Sequence, residues 1–365
     1  AFGINDGVYL RYGGYKKEDL DFTSIKSQFL FSLFYQFIIA LLLVCCAVLF
    51  VKDSRRIVII LFSLFYFIIF SGFSFLGYIF QAVNDTHKFS KSMIINRLFY
   101  LCMQLGLLFF KIKNIYVFIP LYITGYLLSF IYLFKNIYPY FKDTAFDFKI
   151  GSTDAFISMK IGISLMFSNA CAALVLGVQR QIVDMRWGIQ EFGKVSFSIT
   201  LVNFALTFIQ QIGMVLFPAL RRLDADEIKS YYIKMIRALF IILPIIYIGY
   251  LPCVYLLIMW LPEYSGSVYY LGIILPICFF DCKMNLIYNT YFKVLGRQVD
   301  LLKVNIITII ISLSWGFIGA YIFNDLDIVI IGMVVAVIFR SVLSDFILNN
   351  IIKNRTVIYE ILDFI

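Results

Sequence analysis

Histidine occurs once in these 365 residues, at position 87. A histidine-built metal site and a Ser-His-Asp relay are therefore excluded, unless a single imidazole suffices. Charge is also scarce: Asp, Glu, Lys and Arg make up 15% of the chain, against 62% hydrophobic residues. No soluble domain of this size hides that much apolar surface, so lipid is part of the solvent and the chain reads as a polytopic membrane protein. A GxxxxGK[ST] phosphate loop is missing, so the chain does not drive itself with ATP. The seven cysteines lie inside apolar runs without ligand-like or framework spacing, and read as reduced packing residues. The chain begins AFGIND, with neither a methionine nor a charged leader ahead of the first helix, and further residues are expected upstream.

What is present is a series of apolar runs long enough to cross a bilayer, at about 29–50, 57–82, 93–110, 115–134, 157–178, 196–218, 239–261, 266–292, 301–323 and 328–348. The expected fold is an all-α bundle of about ten transmembrane helices. Net charge is +9, but the bases are scattered over short connections, a pattern of topology and not of nucleic-acid binding. Arg11, Lys16, Lys17 and Lys26, then Lys88, Lys91 and Arg97, then later groups ending in Arg340, Lys353 and Arg355, fall on one alternate set of connections and outnumber those on the other set. That set is read as cytoplasmic, with both visible ends inside. The opening FGINDGVYLRYGG then reads as the exit of an earlier helix, and restoring one helical pair gives twelve. The longest connection divides the chain into an N-terminal bundle at 1–134, a cytoplasmic linker at 135–156, a six-helix bundle at 157–350 and a cytoplasmic tail at 351–365.

An ionised side chain at bilayer depth costs at least about 2.5–3.5 kcal/mol on insertion scales, so each needs an account. Arg97 and Lys160 are expected to begin helices and reach back to cytoplasmic water. Arg180 is expected to end a helix on the outer side, where it complements the helix dipole. Lys283 leans away from the nearer water, so snorkelling is awkward; a ligand-facing amine and a structural ion pair both remain open. Asp281, two residues earlier, cannot pair with it within the helix. It shares a helical face with Asn285, Tyr288 and Asn289, a polar stripe expected to line a wet interior. Asn169, Gln179, Asn203, Gln210 and Gln211 are candidates for that interior, or for bonds between helices. The outer connections are short, which weighs against an enzyme building glycosidic bonds there. A transporter without cofactor or metal is the better reading.

The opening FGINDGVYLRYGG, the central VDMRWGIQEFGKVSFSITL with LFPALRRL, and the late WLPEY and LPICFFDCKMNLIYNTYFKVLGR together resemble the Wzx-type flippases of the multidrug/oligosaccharidyl-lipid/polysaccharide exporter superfamily. The resemblance implies two pseudo-symmetric six-helix bundles around a central cavity. It also implies a cargo, an undecaprenyl-pyrophosphate-linked oligosaccharide moved across the bacterial plasma membrane for O-antigen or capsule synthesis. On that reading Lys283, with Arg180 and Arg11 near the two mouths, contacts the pyrophosphate, while Asp281 and Asn285 contact sugar or water. Membrane lipids, a polysaccharide polymerase and a coupling proton or sodium ion are the implied partners, and nucleic acid is not one. The alternatives are a membrane polymerase or acyltransferase of the same pathway, and a drug exporter of similar architecture.

Overall fold

The structure, a computed structural model, describes residues 2–50, 53–112 and 115–352. Among them every regular element is helical. Hydrocarbon offers no partner to a backbone N–H or C=O, so an apolar segment must satisfy these groups within itself, and the helix does so. In order the α-helices are α1 (Ile4–Tyr12), α2 (Phe22–Phe50), α3 (Ser54–Ala82), α4 (Thr86–Phe109), α5 (Ile115–Lys142), α6 (Phe148–Trp187), α7 (Ile189–Leu220), α8 (Ala225–Trp260), α9 (Gly266–Ile274), α10 (Pro276–Lys283), α11 (Asn289–Val294), α12 (Gln298–Phe317) and α13 (Leu326–Ile352). The chain divides into two compact units, Ala1–Ile163 and Ser164–Ile365, and the division falls inside α6.

Eight helices among the described residues are long and apolar enough to cross a membrane, and a ninth span results if α9 and the helix beyond Pro276 count as one. The remaining expected span, 239–261, lies almost wholly within α8, which runs 36 residues. Most helices exceed the apolar run that announced them. The hydrogen-bonded ladder continues until the backbone is interrupted, whatever the side chains contact. Thus α6 continues to Trp187 and stops at Gly188, whose φ of 83° suits a residue without Cβ. The capping box at the start of α8, in which Asp224 and Glu227 bond each other's backbone, likewise sits well ahead of the apolar stretch.

The segment 135–156 is helical at both ends, because α5 reaches Lys142 and α6 begins at Phe148. Residues 353–365, most of the expected tail, lie outside the described residues. The expected single helix at 266–292 is broken: α9 and the segment Pro276–Val294 meet at 42°. Pro276 supplies no N–H and starts a new helix, and Met284–Tyr288 then winds as a π-helix before α11.

Within the first unit, α1 packs against the start of α6 with almost no intervening atoms. A Cβ on Gly3 would stand 2.7 Å from the Ile163 nitrogen, and one on Gly7 would collide with the Ser158 carbonyl. The two glycines, one helical turn apart, give α1 a bare face that side chains would hold off.

Candidate functional site

Among its described residues the second unit buries four charged side chains: Asp281 and Lys283 at 8% and 1% exposure, Arg340 and Asp345 at 5% and 1%. Such groups are rarely hidden unless paired. Arg340, on α13, donates from Nη2 to Asp281 Oδ1 on α10 at 2.5 Å. Charge-assisted bonds of this kind are short and strong. Asp345 accepts from the Tyr232 hydroxyl of α8 at 2.6 Å and from the Asn349 amide at 2.7 Å. Ser344, between the two charges of α13, donates to the Arg340 carbonyl at 2.8 Å.

Lys283 completes the group. Its Nζ lies 5.2 Å from the centroid of the Phe240 ring, 5.5 Å from that of Phe279 and 5.9 Å from that of Tyr288. Three ring faces around one ammonium supply quadrupole attraction in place of part of its lost hydration. The amine thus points into the protein and not into acyl chains. It also stands immediately before the π-helical turn, where i→i+5 bonding admits an extra residue and rotates the helix beyond it.

That rotation divides the expected polar stripe. Asp281 and Tyr288 are buried, and Asp281 is turned to Arg340. Asn285 and Asn289 are half-buried and bond each other at 3.3 Å. Gly213 of α7 lets this region come close: a Cβ there would meet the Asn285 carbonyl oxygen at 3.1 Å.

The other expected site residues lie elsewhere. Arg180 does not end its helix, because α6 continues through Arg186, which takes the last turn and donates to the Asn324 side chain from Nη2 at 2.9 Å. Arg180 is half-buried, and its Nε has no hydrogen-bond partner. Arg11 ends α1 in the first unit and donates from Nη2 to Asp154 of α6 at 2.8 Å. Ser24 donates to the second oxygen of Asp154 at 2.5 Å, and Gln28 joins Tyr12, Ser24 and Ser158 into the same network. Of the five candidates, then, Asp281, Lys283 and Asn285 share one broken span, Arg180 stands on α6, and Arg11 belongs to the first unit. Gln179 bonds across to the Ser312 carbonyl at 2.8 Å, whereas Asn169, Asn203, Gln210 and Gln211 are exposed.

Arg340 and Asp345 were missed. Arg340 counted as a base of a cytoplasmic connection, yet it stands inside α13, fifteenth of 27 residues. A signal existed: Arg340, Ser341, Ser344 and Asp345 recur at helical spacing within a run otherwise apolar, which marks one inward face.

Residues 14–224, more than half of the chain, match the family described as polysaccharide biosynthesis protein. Solved structures share the fold. A MATE protein in complex with MaL6 superposes with a TM-score of 0.77 at 10% identity, covering 96% of this chain and 83% of that one. The MATE transporter ClbM in complex with Rb+ gives 0.69 at 11%, covering 94% and 82%. A MOP superfamily transporter from Pyrococcus furiosus gives 0.69 at 12%, covering 98% and 83%. Likeness at such identity is a likeness of fold. No curated protein matches the chain in sequence.

Proposed function

Because the chain belongs to the polysaccharide biosynthesis protein family, we propose that it is a flippase that moves undecaprenyl-pyrophosphate-linked oligosaccharide repeat units across a bacterial plasma membrane, for O-antigen or capsule assembly. The observation that carries this reading is the joint occurrence of that family match and a MATE-type helical fold over 96% of the chain. The family supplies the cargo chemistry, and the fold supplies a way of moving it. The protein acts as a carrier by alternating access, with the Arg11 and Lys26 end of its helices in the cytoplasm.

Four charges buried among apolar helices support the same reading. A buried ion pair adds little stability over a well-packed apolar pair. Charges kept at bilayer depth in spite of that are read as working parts. Lys283 takes the pyrophosphate, whose dense negative charge an amine attracts far more strongly at low dielectric than in bulk water. The amine is enclosed in the present structure, so the contact belongs to a second conformation. Two irregular places beside it allow that change, the bend before Pro276 and the π-helical turn after it. Asp281 and Asn285 contact sugar or water, and Arg11 and Arg180 serve the approaching head group. The hydrocarbon tail stays in the membrane, and a polymerase of the same pathway takes the delivered unit.

Deleting the gene and locating the lipid-linked repeat unit tests the proposal. Complete single units on the inner leaflet are expected. Units that reach the outer face and stay unpolymerised would point to a polymerase, and normal polymer with raised drug sensitivity to a drug exporter.

A further inference from the structure

The first unit holds a polar cluster that the four buried charges do not explain. Tyr66 of α3, Tyr100 of α4, and Tyr122 and Tyr126 of α5 meet ring to ring: centroids are 5.5 Å apart for Tyr66–Tyr122, 5.3 Å for Tyr66–Tyr126, 5.2 Å for Tyr122–Tyr126 and 5.4 Å for Tyr100–Tyr122. The Tyr122 hydroxyl donates to the Tyr126 hydroxyl at 3.4 Å. Tyr126 is buried, while the other three keep part of their surface open.

Gly125 sits where α5 crosses α4, with Asn96 and Phe99 at ordinary contact distance, 3.5 Å, from where a Cβ would stand. The Ser129 hydroxyl fixes the same crossing by donating to the Ser92 carbonyl at 2.6 Å. Asn96, 2% exposed at this crossing, has an amide nitrogen without a hydrogen-bond partner.

Arg97, exposed, stands three residues before Tyr100 on α4, the spacing of neighbours on one helix face. It does not begin its helix as expected: α4 starts at Thr86, and Arg97 is twelfth of its 24 residues. It lies six residues, roughly 9 Å, beyond Lys91. A guanidinium, several phenol hydroxyls and an unpartnered amide in the apolar part of three adjoining helices are poorly suited to hydrocarbon. Packing alone would not select them. Phenylalanine fills nearly the same volume, and the same cluster uses it at Phe70 and Phe73, each 5.5 Å from Tyr126.

We propose that this cluster is a glycan subsite, which holds the sugar portion of the lipid-linked cargo. Open tyrosine faces accept the C–H side of a pyranose ring, and their hydroxyls exchange hydrogen bonds with those of the sugar. Arg97, which is exposed, adds donors at the edge. The inference rests on the flippase reading and deepens it, since sugar and pyrophosphate are recognised by different residues.

The test uses the whole protein in lipid nanodiscs and two probes, bare undecaprenyl pyrophosphate and the same lipid carrying the repeat unit accumulated by the deletion strain. Binding of each is measured for the wild type and for the double variant Tyr66→Phe, Tyr122→Phe, which keeps every ring. The wild type is expected to bind the sugar-bearing lipid at least about tenfold more tightly, the equivalent of one or two net hydrogen bonds. The variant is expected to lose most of that advantage and to bind the bare lipid as before. A tyrosine ultraviolet difference spectrum in the wild type, seen with the sugar-bearing lipid and not with the bare one, is the second readout and needs no variant. An unchanged sugar preference in the variant, or no difference spectrum, overturns the glycan subsite and leaves the flippase reading in place. Failure of the wild type to bind either lipid overturns the flippase reading itself.

Discussion

Each unit contains an arginine–aspartate pair joining distant parts of its chain, and the two are built on opposite terms. Arg11 and Asp154 keep 29% and 15% of their side-chain surface, and Ser24, Gln28, Tyr12 and Ser158 surround them with hydroxyls and an amide. Arg340 and Asp281 keep 6% and 11%, and the neighbouring Lys283 is enclosed by aromatic rings. Where water and hydroxyls are at hand, losing one partner leaves the other solvated. Where neither is, the survivor is a bare charge in an apolar interior. The same pair of residue types is therefore a modest tie in one unit and an obligatory one in the other.

The sharpest way to break the comparison is Arg340→Met. It strands Asp281 and should cost about 3–5 kcal/mol, read from thermal unfolding in detergent, while Arg340→Met with Asp281→Leu should recover most of the loss. A cost near that of a surface pair would erase the contrast. Next comes Gly7→Val, which forces a side chain into the Ser158 carbonyl; overpacking of this kind costs about 1–3 kcal/mol. An unaltered melting temperature would mean that α1 and α6 part freely. The smallest effect is expected from Asp154→Asn, which removes the charge and keeps a bonding partner for Ser24. At its exposure the change should cost no more than about 1 kcal/mol and shrink further in high salt.

The sequence made the helical, membrane-spanning nature of the chain legible because composition reports the solvent directly. It made the ends of helices poorly legible, because apolar runs show which residues meet lipid while hydrogen bonding decides where a helix stops. Arg97 and Arg180 were misplaced for that reason: each was expected near a helix end, and α4 and α6 extend well past both. Lys283 and Asp281 stood out, being charges in an apolar run. The partner of Asp281 did not, because Arg340 lies 59 residues away and no local spacing joins them. The π-helical turn was equally hidden, since Met284–Tyr288 has nothing in its residue types to distinguish it from α-helix. Only the packing of α10 against α13 reveals why Asp281 and Asn285 part company.

The central claim is that a buried amine serves the passage of a phosphorylated sugar carrier. The most direct measurement is transfer of undecaprenyl-pyrophosphate-linked oligosaccharide across liposomes holding the purified protein, scored by lectin access to the outer leaflet, for the wild type and Lys283→Met. The account predicts transfer by the wild type and at least about a tenfold slower rate in the variant at equal folded content, the loss of one charge-assisted contact. An equal rate in a correctly folded Lys283→Met protein would contradict it.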